Sequence, residues 1–86
     1  MNGVVVKVKP LDDFILEAVF TGGDIRHYDC KALIDEIPAF LELKKNPEIF
    51  DNPLIVSGGY GIVWNEDLDV ASEEIWDNGK AVTPIG

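Results

Sequence analysis

Alternating apolar and polar positions at the start of the chain predict a first β-strand. Val4, Val6 and Val8 recur with a period of two, which places the three valines on one face of that strand. Pro10 ends the strand because proline has no N–H to donate to a ladder.

Two further strands are predicted over residues 14–21 and 24–29. Gly22-Gly23 between them is typical of a two-residue primed hairpin turn, because glycine accepts positive φ without steric cost. In the third strand Ile25 and Tyr28 have opposite parity, and a β-bulge would bring them onto one face. The three strands together predict an antiparallel meander.

The middle of the chain changes to helical signals. Asp29 is a candidate N-cap for a short helix that ends near residue 34 or 35. Pro38 suits the first turn of a second helix. Asn46, as a cap, and Pro47 predict one more single turn. The apolar stripe of the second helix consists of Phe40, Leu41 and Leu43.

The last third returns to β-structure before a terminal helix. Residues 54–57 and 61–64 flank a glycine-rich loop and predict a hairpin, and residues 67–70 form a short extended stretch. Ser72 is the predicted N-cap of the terminal helix, and Asn78-Gly79 ends it. We expect the tail, residues 83–86, to be frayed. The predicted class is therefore α+β. One domain over residues 1–86 contains a meander of about three N-terminal strands, a C-terminal hairpin and two to four short helices.

Composition adds a strong acidic bias. The chain has 86 residues and a formal charge of −9, with 47% hydrophobic residues, so a folded core is expected. Its seven basic residues are scattered, which argues against direct nucleic-acid binding. Solubility explains the acidity, and an acidic face for a basic partner is the alternative. We expect a cytoplasmic protein, since neither a signal peptide nor a membrane span is visible.

No catalytic, metal or cofactor site is expected from the motifs. The loop Gly58-Gly59-Tyr60-Gly61 is followed by a strand-like segment without lysine, which favours a hairpin over a phosphate cradle. The carboxylate pairs have turn and cap roles rather than the ligand spacing of a calcium loop. These pairs are Asp12-Asp13, Asp67 with Asp69, and Glu73-Glu74.

Cys30 and His27 are the residues from which a nucleophilic enzyme site would be built. One cysteine cannot form an internal disulfide, and residues so close along a strand rarely converge on one substrate atom. A buried thiol and a half-exposed strand histidine explain these two residues better. We therefore expect that the chain is not an enzyme.

Four residues remain as a candidate interaction surface, two of them aromatic, since Trp and Tyr are enriched at binding hot spots. They are Arg26, His27, Tyr60 and Trp76. Trp76 fits the core as well, whereas Tyr60 lies at a predicted loop tip. A rim of Arg26, His27 and Tyr60 on the sheet is the corresponding hypothesis for a ligand pocket.

The order of motifs resembles a bacterial family, the domain of unknown function 2442. The resemblance rests on a strand ending in proline followed by an Asp-Asp-aromatic strand, a glycine turn, an aromatic-Asp pair and a Leu-x-Asn/Asp-Pro segment. In this chain the motifs are residues 6–14, Gly23, Tyr28-Asp29 and residues 43–47. The later part of the family pattern is matched by Ile62-Val63-Trp64 and Asp67-Leu68-Asp69. The resemblance implies a small α+β fold and no established activity, with no catalytic residues to carry over.

The resemblance also implies possible partners. Some relatives carry this domain ahead of a helix-turn-helix domain, and others are encoded beside a second small protein in a toxin–antitoxin-like arrangement. This chain shows no helix-turn-helix, so direct DNA binding is not expected. The leading hypothesis is a protein-interaction or regulatory module, the acidic partner of a two-protein pair. The alternatives are a homo-oligomeric domain that senses a small ligand and a small Cys/His enzyme.

Overall fold

The computed structural model describes residues 3–83, in which seven strands and three α-helices are connected by turns, loops and four short 3-10 helices. The strands are β1 (Val5–Pro10), β2 (Ile15–Phe20), β3 (Ile25–Asp29), β4 (Leu54–Ile55), β5 (Gly61–Asn65), β6 (Leu68–Ala71) and β7 (Lys80–Val82). The helices are α1 (Lys31–Glu36), α2 (Leu41–Lys45) and α3 (Ser72–Asn78). The predicted α+β class is confirmed, and the three α-helices fall within the predicted two to four short helices. The expected frayed tail falls mainly on residues 84–86, which lie outside the described part.

The strands form two antiparallel sheets. The first has the order β1-β2-β3-β7 and contains the predicted meander, and the second has the order β4-β5-β6 and contains the predicted hairpin. Strand β7 was not predicted from the sequence. It is defined by its pairing with β3, where Val82 lies opposite Ile25 and Lys80 opposite His27, and so short a strand leaves little periodic signal.

A β-bulge in β1 corrects the prediction for the first strand. Val5 lies opposite Phe20 and Lys7 opposite Val19, so Val6 is the extra residue. As a result Val5 is 2% exposed and Val6 is 55% exposed. The prediction that Val4, Val6 and Val8 share one face is therefore wrong. A bulge inserts one residue, so the residues before it and after it no longer alternate in one regular pattern between the two faces.

The bulge predicted in β3 is absent. Strands β2 and β3 pair in unbroken register, with Leu16 opposite Tyr28 and Val19 opposite Ile25. Leu16 and Tyr28 are buried, which defines the inner face of the four-stranded sheet, whereas Val19 and Ile25 lie half-buried on the outer face. The opposite parity of Ile25 and Tyr28 thus reflects apolar residues on both faces.

The core is one cluster on the inner side of the first sheet, completed by residues of the second sheet and the helices. Aromatic rings connect these elements. The Phe50 ring lies edge-on to Phe14 at 5.4 Å between centroids and stacks on Trp64 at 6.0 Å. The Trp64 indole N–H donates to the Phe50 carbonyl at 3.3 Å, so its buried polar atom has a partner. The buried residues are Val5, Leu16, Ala18, Phe20, Tyr28, Cys30, Leu33, Ile34, Phe40, Leu43, Phe50, Ile62, Trp64, Leu68, Val70 and Ile75.

Local turns and caps agree with the sequence only in part. Both turn glycines have positive φ, but the Phe20 N–H donates to the Asp24 carbonyl at 2.8 Å, so the loop has three residues rather than two. Asp29 Oδ1 accepts from the Lys31 backbone N–H at 2.9 Å, but Cys30 occupies the N-cap position of α1, so the predicted cap Asp29 lies one residue before it.

The predicted cap Ser72 is also wrong. Ser72 lies inside the first turn of α3, its buried hydroxyl donates to the Gly59 carbonyl at 2.7 Å, and Ala71 occupies the N-cap position. Asn46 occupies the predicted N-cap position of the single turn Pro47–Ile49, but its side-chain amide donates to the Glu42 carboxylate instead of bonding to that turn. In both cases a contact with another part of the chain determines the role of the side chain.

Candidate functional site

Arg26 and Trp76 are brought together on the inner side of the sheet. The guanidinium carbon of Arg26 lies 3.9 Å from the centre of the Trp76 ring, and its Nε donates to the Trp76 carbonyl at 3.4 Å. The Phe20 and Trp76 rings lie edge-on to each other, with 5.0 Å between their centroids. Trp76 is therefore partly buried against the core and joins α3 to the sheet.

His27 lies on the opposite face from Arg26, because neighbouring residues of a strand point to opposite sides. Its Nε2 is 2.8 Å from Glu17 Oε2 on the adjacent strand. Arg26, His27 and Trp76 consequently do not form one surface, and the proposed pocket rim of Arg26, His27 and Tyr60 is not assembled. Alternation along the strand already separates Arg26 from His27, whereas the place of Tyr60 on another surface is decided only by the tertiary structure.

Tyr60 belongs to a different surface, a group of exposed large apolar side chains that we call the edge patch. Tyr60 is 64% exposed and Leu54 is 65% exposed. Val6, raised by the bulge, and Ile55 complete the patch. Strand β1 runs beside β4, and Gly59 lies against Val4 and the carbonyl of Val5, so these four residues come from segments that contact one another. The edge patch thus spans the neighbouring edges of the two sheets.

Sequence reasoning found Tyr60 and missed the other three members of the edge patch. Val6, Leu54 and Ile55 carry the same apolar signal as core residues, and only the bulge and the edge position of β4 expose them. Leu54 lies opposite Val63, and Val63 lies opposite Asp69, so a carboxylate borders this side of the patch.

The outer face of the four-stranded sheet carries two ordered rows of side chains. One row crosses all four strands as Lys9, Glu17, His27 and Lys80. The adjacent row consists of Lys7, Val19, Ile25 and Val82. We call these eight residues the sheet face.

An acidic cleft lies between α1 and α3. The Tyr28 hydroxyl donates to Glu74 Oε2 at 2.9 Å, and the Asn78 amide donates to Glu74 Oε1 at 2.9 Å. The cleft has a volume of about 480 Å³ and is also lined by Asp29, Leu33 and Glu36. Burial, together with the hydrogen bond to Glu74, raises the pKa of Tyr28, so its hydroxyl remains a donor at neutral pH.

The Cys30–His27 pair of an enzyme site is not formed. Cys30 is buried at the start of α1, and burial raises the pKa of its thiol to about 12. His27 lies on the outer face and contacts Glu17. The buried thiol and the half-exposed histidine therefore agree with the structural interpretation of these residues.

The motifs with carboxylates and glycines occupy turns and helix starts, except for Asp69, which lies within β6. Ser57–Gly59 is a turn that leads directly into β5, and Glu73 and Glu74 lie in the first turn of α3. Across residues 3–83, no group of three or more His, Cys, Asp or Glu side chains is placed to hold a metal ion. Nor does this part of the chain contain a helix of the length and apolarity needed to cross a membrane.

The fold and surfaces define a class: a small α+β domain with two antiparallel sheets, helices on the inner side and an open outer sheet face. The sequence model of the family described as "Protein of unknown function (DUF2442)" matches residues 5–81. The chain belongs to this family. Searches of curated proteins and of solved structures gave no significant match.

Proposed function

We propose that this chain is a protein-interaction or regulatory module, the acidic member of a two-protein, toxin–antitoxin-like pair, and that it binds its partner through the edge patch. The observation that carries this proposal is the exposure of four large apolar side chains on adjoining segments, led by Leu54 and Tyr60. Several exposed large apolar side chains in one region are typical of interaction sites, whereas single exposed apolar residues are ordinary.

The energetics of the edge patch suit a binding hot spot. Complete burial of a leucine-sized side chain contributes about 1.5–3 kcal/mol, and Leu54 and Tyr60 start from more than half exposed. Tyrosine adds a hydroxyl that can hydrogen-bond to a partner at the rim. The rim carboxylate of Asp69 and the net charge of −9 favour a partner that is basic. The same charge disfavours direct contact with DNA.

The proposal is tested by co-expression with the product of each neighbouring gene, followed by affinity capture and a mass measurement of the complex in solution. The double variant L54S/Y60S removes the two most exposed members of the patch. The control I37S/L41S removes two other exposed apolar residues, which border the turn before α2. We expect L54S/Y60S to abolish the complex and I37S/L41S to retain it. Equal retention by both variants, or no complex with either gene product, would contradict the proposal.

The acidic cleft supports the alternative of a homo-oligomeric domain that senses a small ligand. Its volume of about 480 Å³ suits a small molecule, and the carboxylates of Glu36 and Glu74 favour a cationic one. A ligand that binds only the folded chain raises the melting temperature. Thermal-shift measurements with a panel of amines and amino acids test this function, with E36Q as the matched variant. The absence of any shift at saturating concentrations would exclude it for these ligands.

A further inference from the structure

We infer that the sheet face binds an acidic amphipathic helix of a protein partner. This inference goes beyond the proposed function, because it concerns another surface and the opposite charge. The chain as a whole is strongly acidic, yet Lys7, Lys9 and Lys80 all lie on this one face. Within residues 3–83 these three lysines form no ion pair, so their charges are available to a partner.

The sheet face has an apolar row and charged residues beside it, and an amphipathic helix likewise has an apolar side and a charged side. Val19, Ile25 and Val82 are half-buried neighbours on three adjacent strands, and they form a continuous apolar row. The lysines stand at the ends of the two rows, Lys7 and Lys9 on β1 and Lys80 on β7. A helix that lays an apolar stripe along the valine and isoleucine row therefore places one flank beside Lys9 and Lys80 and one end beside Lys7, where acidic side chains of the helix meet the lysines.

The composition of the face favours an acidic protein segment over a nucleic acid. Glu17 and Asp29 also point to this side, so carboxylates interrupt the basic surface that a phosphate backbone needs. The lysines number only three and are spread across the sheet, whereas phosphate backbones are bound by clustered Lys and Arg. The apolar row gives a peptide side chain a surface on which to pack, in agreement with a helix that is only partly charged.

The probe is a synthetic helical peptide of about 18 residues, long enough to form a helix in isolation. It carries leucine at i, i+3, i+4 and i+7 and glutamate on its other faces. Two controls are the same peptide with lysine in place of glutamate, and a short DNA duplex. Binding is followed by amide chemical shifts of the ¹⁵N-labelled chain at low and high salt. We expect the acidic peptide to cause saturable chemical-shift changes at the amides of β1, β2, β3 and β7. The peptide should bind more weakly at high salt, because salt screens the charges.

Two pairs of variants locate the binding site. K7E/K9E reverses two charges on the sheet face, and K44E/K45E reverses two exposed charges on α2 as the matched control. We expect K7E/K9E to weaken peptide binding by about tenfold or more, since two attractions become repulsions. K44E/K45E and the edge-patch variant L54S/Y60S should bind as the parent does, and V19T, which keeps the side-chain shape, should weaken binding without unfolding the chain.

Three results would overturn the inference. The first is the absence of saturable shifts on the four strands with the acidic peptide. The second is equal binding by K7E/K9E and K44E/K45E. The third is DNA that binds the same strands as tightly as the peptide does, which would make the surface a general polyanion site. Because L54S/Y60S leaves the sheet face intact, failure of the edge patch and failure of this inference are separate outcomes.

Discussion

The guanidinium of Arg26 lies over the indole of Trp76, with its central carbon 3.9 Å from the ring centre. The contact joins β3 to α3 on the side of the sheet that faces the core. Arginine is suited to this position, because its stem packs on apolar surface while its charged plane stacks on the ring.

Removal of this contact should destabilise the fold. In R26M the stem remains and the charge is lost, and we expect a decrease of about 1–2 kcal/mol in the free energy of unfolding, the magnitude of a partly desolvated cation–π contact. Urea denaturation followed by tryptophan fluorescence measures it. K44M, on the exposed side of α2, is the control and should change stability by less than about 0.5 kcal/mol. An R26M variant as stable as K44M would show that the contact contributes nothing.

The start of α3 gives a prediction that distinguishes two cap assignments. With Ala71 as N-cap, A71D should stabilise the protein by about 0.5–1 kcal/mol, because an aspartate there accepts from the free N–H groups of the first turn. S72A should destabilise it by about 1–3 kcal/mol, since the buried Gly59 carbonyl loses its donor. Thermal denaturation of both variants checks this. Destabilisation by A71D would instead indicate that Ser72 is the cap.

Two glycines of positive φ should differ sharply in their tolerance of alanine. A Cβ at Gly59, where φ is +76°, would lie 2.5 Å from the Val5 carbonyl, whereas a Cβ at Gly23, where φ is +95°, meets nothing within 4 Å. G23A should therefore lower the free energy of unfolding only by the conformational penalty, about 1–2 kcal/mol. G59A adds a clash with the Val5 carbonyl of β1, so it should lower the free energy of unfolding clearly more or prevent folding. Circular dichroism melting curves give the comparison, and equal losses would contradict the close approach of Gly59 to β1.

Cys30 should react slowly and should make the fold sensitive to high pH. Its folded pKa of about 12 exceeds the ordinary 9.0, so the folded state holds the proton more tightly than the unfolded state does. The associated stability is fully present below pH 9.0 and is lost as the pH rises towards about 12. C30A should remove this contribution from the pH profile, although Tyr28 adds a loss of its own at high pH.

The thiol of Cys30 also provides a kinetic measurement. Alkylation at neutral pH should be much slower than that of free cysteine, because the thiolate is scarce and the side chain is buried. Reaction in denaturant serves as the control and should match free cysteine. Rapid alkylation of the native chain would indicate an activated thiol and would reopen the hypothesis of a Cys/His enzyme.

The period-two pattern of β2 and the turn glycines after it were enough to predict the meander. Both signals depend only on residues that are close together in the sequence. The terminal helix and the hairpin before it were likewise predictable from their apolar runs and stop signals. Cys30 was correctly assigned to the core, since a small sulfur side chain beside a strand is usually buried.

Only the tertiary structure decided which surfaces remain free. The bulge that exposes Val6 depends on pairing with Phe20 and Val19, and strand β7 exists only because residues distant in sequence meet at β3. Ser72 differs from its predicted role as an N-cap for the same reason, because its hydroxyl donates to the carbonyl of Gly59, a residue distant in the sequence. The sequence by itself determined the class of fold and the acidity of this protein. The positions of the edge patch and the sheet face depend on strand register, which long-range pairing sets and local sequence does not.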